Sequence, residues 1–178
     1  MRSLLKFSGF VDAINEQLGR VVAWTALLTV LVGSWNAITR YLSRETGMDF
    51  HANALQDLQW YLFSAMFLIG AAFTLKRDEH VRVDVFYHGF KPRTRILINL
   101  AGHTAFLLPF CLVMIWTSSS MVRESWKILE GSPDPGGLVR YPVKTMIPIA
   151  FFLLFLQGLS EIIKLTRDWK ALRAVKPS

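Results

Sequence analysis

One cysteine stands in 178 residues, Cys111, and it lies inside an apolar block. A disulfide within the chain is excluded, as are CxxC redox motifs and Cys/His metal spacings. Histidine is scarce too: of His51, His80, His88 and His103, only His103 falls within a long apolar run. Bis-histidine haem ligation at membrane depth therefore lacks its second ligand, and a hydrogen-bonded histidine one turn from Asn99 is the simpler reading. Carboxylates are missing from the interior of every apolar run. Coupled translocation paths rely on such groups, and here Asp57 and Glu161 stand only at run ends, with Gln157 and Ser160 adding some polarity beside the second. Matched Gly/Pro-broken helices of the inverted-repeat kind are also lacking. No catalytic residue, metal ligand or cofactor is expected, and the chain reads as a non-enzyme.

What is present is apolar residue and positive charge, kept apart. Hydrophobic residues make up 52% of a chain whose formal charge is +7. The apolar residues fall into four blocks of bilayer length and the charges into the gaps, which argues for membrane anchoring and against nucleic-acid binding. The length is that of one domain. Spans are expected at 21–38, 58–75, 96–116 and 146–163, with Trp24 and Trp35 near the ends of the first as interfacial aromatics. Pro109 should kink the third span or remove one of its hydrogen bonds. That helix is expected to continue beyond the membrane to Glu130, where the turn-rich run Gly131-Ser-Pro-Asp-Pro-Gly-Gly137 stops it. Pro148 falls in the first turns of the fourth span, where a missing N–H costs least.

Two segments read as amphipathic helices lying in the interface. In 4–18, Phe7, Phe10, Val11, Ile14 and Leu18 recur at helical spacing among polar residues. In 81–90, Val81, Val83 and Val85 alternate as a strand would, but an isolated strand beside a bilayer leaves backbone groups unpaired. The helical stripe Val83, Phe86, Tyr87 and Phe90 is therefore preferred, ended by Pro92. Asp12, Asn15, Glu16 and Gln17 interrupt any signal-peptide core, so the N-terminus is expected to be retained.

Fourteen of the twenty Lys and Arg residues fall on one side of these spans. Arg2, Lys6 and Arg20 precede the first span; Lys76, Arg77, Arg82, Lys91, Arg93 and Arg95 follow the second; five more follow the fourth. The positive-inside bias places both termini and the 76–95 segment in the cytoplasm, with loops 39–57 and 117–145 in the periplasm. The fold class is thus an all-α membrane protein of four transmembrane helices, both termini cytoplasmic, with amphipathic interfacial helices. Small residues at Gly33 and Ala37, at Gly70, Ala71 and Ala72, and at Ala101 and Ala105 would let helices approach closely. Four plain spans of this kind look like a subunit that packs against something.

Three stretches in order carry a family resemblance: Gln59-Trp-Tyr-Leu-Phe, then Phe67-Leu-Ile-Gly-Ala-Ala-Phe-Thr-Leu75, then His80-Val-Arg-Val-Asp-Val-Phe-Tyr87. With Asp134-Pro-Gly-Gly-Leu, Tyr141-Pro-Val-Lys and Leu156-Gln-Gly-Leu-Ser-Glu161, the chain resembles the small, DctQ-type membrane subunit of tripartite ATP-independent periplasmic (TRAP) transporters. The family often has two carboxylates around the tryptophan opening span two; here Asp57 and Gln59 precede Trp60. The resemblance implies ion-coupled uptake of organic acids, generally with sodium, across a bacterial inner membrane. It implies two partners besides the phospholipid bilayer: a large DctM-type membrane subunit and a DctP-type periplasmic binding protein. On this reading the interface with the large subunit draws on Gly33, Ala37, Asp57, Trp60, Gly70, Ala71, Ala72, Ala101 and Ala105. Docking of the binding protein draws on Arg40, Arg44, Arg123 and Arg140, and anchoring at the membrane surface on the six basic residues from Lys76 to Arg95. An electron-transfer anchor using His103 and a stand-alone small transporter are the competing classes.

Overall fold

The computed structural model describes residues 2–47, 52–78 and 89–174, and the regular elements among them are all helical. Helix α1 spans Arg2–Thr46 and α2 spans Ala52–Lys76. A third rod joins α3 (Pro92–Ala101), a π-helical stretch (Gly102–Leu107) and α4 (Leu108–Lys127). The short α5, Tyr141–Lys144, leads into α6, Met146–Ala174. All four long rods are apolar and long enough to cross a membrane. The two ends of the bundle are called here the basic end, which holds Arg2 and Lys76, and the loop end, which holds Thr46 and Lys127.

The helices outrun the apolar blocks. With 45 residues, α1 is about 68 Å long at 1.5 Å per residue. The segment 4–18 is the first part of this one helix, with no break before the span, because no proline interrupts the hydrogen-bond ladder between it and Val21. At the other end the helix continues past Tyr41 to Thr46. It stops at Gly47, which takes φ +70° and donates its N–H to the Ser43 carbonyl at 2.9 Å. The periplasmic loop read at 39–57 is correspondingly shorter. The interfacial helix read at 81–90 lies, apart from Gly89 and Phe90, outside the described residues, as does Arg82. Pro92 opens α3 as a first-turn proline, where its missing N–H has no helical partner to lose.

Pro109 acts on the turn before it. A helical proline lacks an N–H and crowds the carbonyl four residues earlier, here that of Ala105. The ladder widens over Gly102–Leu107, and the Leu108 N–H reaches back five residues to the His103 carbonyl. The rod stays continuous and its helix ends at Lys127, three residues short of Glu130.

Helix α6 is the central post, packing against α1, α2 and the third rod, while the third rod packs chiefly on α6. Accordingly 28% of the apolar window of α6 is buried, against 6% for the third rod. A small apolar cluster of Ala72, Leu75, Cys111 and Leu154 joins α2, α4 and α6. Phe110 meets Phe151 edge-on beside it, with centroids 5.7 Å apart. Glycines set the close approaches. A Cβ on Gly158 would stand 2.9 Å from Leu107, and one on Gly19 would enter the Phe73 side chain. Large apolar side chains face outward, with Trp116 83% and Phe106 76% exposed. Exposed apolar surface on this scale, over helices of this length, is a lipid-facing exterior.

The Gly70–Ala72 patch turns inward: Ala72 belongs to the core, and a Cβ on Gly70 would meet only Val22, at 4.0 Å. Gly19→Ala is therefore expected to lower stability by about 1–3 kcal/mol through overpacking. Gly70→Ala should raise it by about 0.5–1 kcal/mol through helix propensity. Thermal unfolding in detergent, followed by circular dichroism, compares the two; equal effects would contradict the packing described.

Candidate functional site

At the basic end, polar side chains lock α1 to α6. Ser8, Asp12 and Asn15 share one face of α1, and Gln157, Ser160, Glu161 and Lys164 share one face of α6. Gln157 is fully buried. Its Oε1 accepts from Asn15 Nδ2 at 2.7 Å, and its amide donates to Asp12 at 2.9 Å and to Glu161 at 2.8 Å. Ser8 and Ser160 are 2.6 Å apart, and Ser160 donates on to Asp12 at 3.0 Å. Lys164 joins the two carboxylates, 2.6 Å from Glu161 and 3.1 Å from Asp12. One turn along α1, Glu16 binds α2 through Lys76 at 2.7 Å and Arg77 at 2.8 Å, with Arg20 at 3.4 Å. The Arg77 guanidinium also stands 4.8 Å from the centroid of the Phe73 ring that fills the space over Gly19.

This interlock changes the account of several residues. The inward face of 4–18 is mixed, with Ser8 and Asn15 buried beside Val11, while Phe10 is 65% exposed. Lys76 and Arg77, expected at lipid headgroups, both pair with Glu16, and Arg77 keeps 46% of its side chain exposed. Arg93 donates to the Leu172 carbonyl at 3.1 Å, supporting the end of α6, and Arg95 donates to the Phe90 carbonyl at 3.0 Å; Lys91 is exposed ahead of α3. The signal was present in two matched stripes, 8/12/15 and 157/160/161/164. It went unread because each stripe alone looks like an ordinary solvated face.

At the loop end, Asp57 is not at the surface; it is 5% exposed. Its carboxylate accepts the Leu138 N–H at 2.9 Å, and Tyr61 donates its hydroxyl to the Leu138 and Val139 carbonyls at 3.2 and 3.1 Å. Asn53 donates to the Pro135 carbonyl at 3.0 Å. The loop passes close enough that a Cβ on Gly137 would collide with Asp57 and Ser132. On the other side of the loop, Ser125 donates to Glu130 at 2.7 Å and Lys144 pairs with the same carboxylate. Trp126 donates to Thr145 at 2.9 Å and meets Tyr141 edge-on at 4.6 Å. Arg40 reaches Gln56, Arg140 donates its backbone N–H to the Glu130 backbone carbonyl at 2.8 Å, and Arg44 and Arg123 are exposed. These four arginines do share one end of the bundle.

Between the ends, α1 and α2 leave a groove of about 390 Å³ lined by Thr29, Gln59, Trp60, Phe63 and Ser64. Gly33 turns toward Gln59, its Cβ position 2.9 Å from the amide, whereas Ala37 and Trp60 face outward. Ala101 and Ala105 are exposed on the third rod. His103 is half-buried in the π-helical stretch. No group of three or more His, Cys, Asp or Glu able to hold a metal ion exists among the described residues.

Four apolar rods clasped by inward polar groups, with aromatic side chains outside, define a multi-pass membrane protein. The DctQ component of the tripartite ATP-independent periplasmic transporters matches residues 10–168, nearly the whole chain, and the protein belongs to that family. It is therefore a small permease component of a TRAP transporter. No curated protein and no solved structure matches the chain.

Gln157→Leu strands the Asn15 amide in the interior and should cost about 1–3 kcal/mol. Replacing Asn15 by Leu as well is expected to recover part of that loss, because neither partner is then left unmatched. Thermal unfolding of the two single variants and the double variant measures this; a double loss equal to the sum of the singles would refute the coupling. The loop end has its own pH dependence. Hydrogen bonds from Lys144 and Ser125 hold the Glu130 carboxyl below its ordinary value of 4.5. A carboxyl depressed by folding contributes stability above its unfolded pKa, and that contribution is lost as pH falls through the folded one. Amide exchange at Arg140, corrected for intrinsic rate, should stay protected from pH 8 to 5 and lose protection only below about 4.5.

Proposed function

We propose that this chain is the fixed scaffold of an ion-coupled, sodium-driven importer of organic acids in a bacterial inner membrane. Its basic end lies in the cytoplasm and its loop end in the periplasm, in keeping with the fourteen-to-six distribution of Lys and Arg. The large DctM-type subunit carries substrate and ions, and a DctP-type binding protein delivers the acid. Arg40, Arg44, Arg123 and Arg140 at the loop end lie on the side that would face that binding protein.

The observation that carries this reading is where the polar groups go. The polar side chains at the basic end are spent on one another, buried ones from α1 to α6 and half-buried ones from α1 to α2, which ties the three helices together. A moving carrier needs an interface that can slide, while a scaffold needs helices that cannot.

The face toward the large subunit is the α1/α2 groove. There the side chains of Gln59 and Ser64 make no hydrogen bond with any described residue. Asn36, 8% exposed and one turn from Gly33, has an Oδ1 without a partner among the described residues. Polar capacity left open beside lipid is costly, and a partner helix supplying a hydrogen bond removes that cost. The outer face of the third rod, with Phe106, Phe110 and Trp116, is apolar in its large side chains and suits lipid.

Proteoliposomes holding this chain alone should show no sodium-dependent uptake of organic acid. Adding the large subunit and the binding protein should produce it. In the same preparations Gln59→Leu and Trp60→Ala are expected to weaken co-purification with the large subunit, and Phe106→Ala and Trp116→Ala to leave it unchanged. Flux through the chain alone would overturn the scaffold reading. Loss of co-purification only in the Phe106 and Trp116 variants would move the interface to the third rod.

A further inference from the structure

A second recess lies at the basic end, between the start of α1 and the last third of α6. Leu4, Leu5, Ile162 and Ile163 form its apolar lining, and Thr166, Arg167 and Lys170 complete it. The half-open recess has a volume of about 170 Å³, which suits a few methylenes and not a helix.

Most of the cations around it already have partners. Lys76, Arg77 and Arg20 close on Glu16, and Lys164 on Asp12 and Glu161. Arg93 serves the Leu172 carbonyl. Arg167 pairs with Asp168 through Nε at 3.0 Å and Nη2 at 2.9 Å, a solvent-exposed pair in which the remaining guanidinium N–H groups stay available. The Thr166 hydroxyl is donated to the Ile162 carbonyl at 2.7 Å. Lys170, like Arg2 and Lys6 on the first turns of α1, makes no ion pair with any described residue; unlike them it lines the cleft, one turn from Arg167 and Thr166.

We propose that this cleft is a site for an anionic glycerophospholipid. The first methylenes of an acyl chain lie along Leu4, Leu5, Ile162 and Ile163, and the phosphate meets Lys170 and the free side of Arg167. A long apolar wall ending in an unpaired cation matches a lipid with a negative headgroup, and basic pockets between membrane helices take such headgroups. A soluble anion would use only the rim, and a zwitterionic lipid would gain little from a cation without a carboxylate partner. The site requires that the chain span a membrane; it does not depend on the transport reading or on the partner face assigned above. It would also bridge the first turns of α1 to α6 just beyond the Ser8–Ser160 contact, extending the polar interlock outward.

The test uses the purified full chain in detergent, with lipid retention read by native mass spectrometry. The probes are dioleoyl phosphatidylglycerol and dioleoyl phosphatidylcholine at equal concentration. Phosphatidylglycerol should be retained about tenfold or more over phosphatidylcholine, the scale of two cations at a membrane surface. Lys170→Gln should lower that preference and Arg167→Gln/Lys170→Gln abolish it, whereas Lys127→Gln, an equal charge change at the other end, should leave it intact. Leu5→Trp fills the cleft but keeps both cations, so its loss of retention would show that the apolar wall takes part. Circular dichroism on each variant establishes that the helices persist. Equal retention of the two lipids, undiminished preference in the double variant, or displacement of the lipid by millimolar inorganic phosphate would each overturn the proposal.

Discussion

The amide of Gln157 accepts from Asn15 and donates to Asp12, both on α1, and donates also to Glu161 one turn along its own helix. With Ser160 it is one of two fully buried polar groups that tie α6 to the N-terminal third of α1. In a lipid-facing protein the hydrophobic effect does little to hold one helix against another, because lipid tails are as apolar as the helix surface. Cohesion then has to come from close packing and from polar groups with matched partners. This bundle uses both, at different heights. The packing is at Gly19 against Phe73 and Gly158 against Leu107. The polar matching is at the basic end around Gln157 and Glu16, and at the loop end around Asp57 and Glu130.

That division explains the lopsided architecture. Helix α6 carries the polar stripe and also Gly158, so it can meet three neighbours, while the third rod meets chiefly one. The third rod continues past Pro109 because the wide turn at Gly102–Leu107 moves the hydrogen bond to the next carbonyl back. A rod that leaves so much apolar surface outside is stable only where lipid or another protein covers it.

Much was legible from the residues in order. Apolar blocks of bilayer length mark four spans because each backbone polar group must be satisfied within its own helix. Pro109 announced a disturbance, and the Gly131–Gly137 run announced the stop that follows. The family was legible from short apolar and charged stretches in the right order. Less legible were the ends of the helices. Polar residues between Arg40 and Thr46 look like loop, yet nothing in them breaks a helix until Gly47.

The small-residue patches were legible as close contacts but not as contacts with whom. Gly70 and Ala72 proved to face the chain's own helices, while Ala101 and Ala105 face out. Asp57 looked like an exposed end and is a buried clamp on the Leu138 amide. The pairing of Lys76 and Arg77 with Glu16 could not be read from the order of residues. The sequence by itself determined that there are four membrane helices and which family they serve, since hydropathy and local order are properties of neighbouring residues. Only the tertiary structure decided which polar residues are partners, because Asn15 and Gln157 lie 142 positions apart. Their pairing depends on how α1 and α6 are turned toward each other, which no single helix encodes.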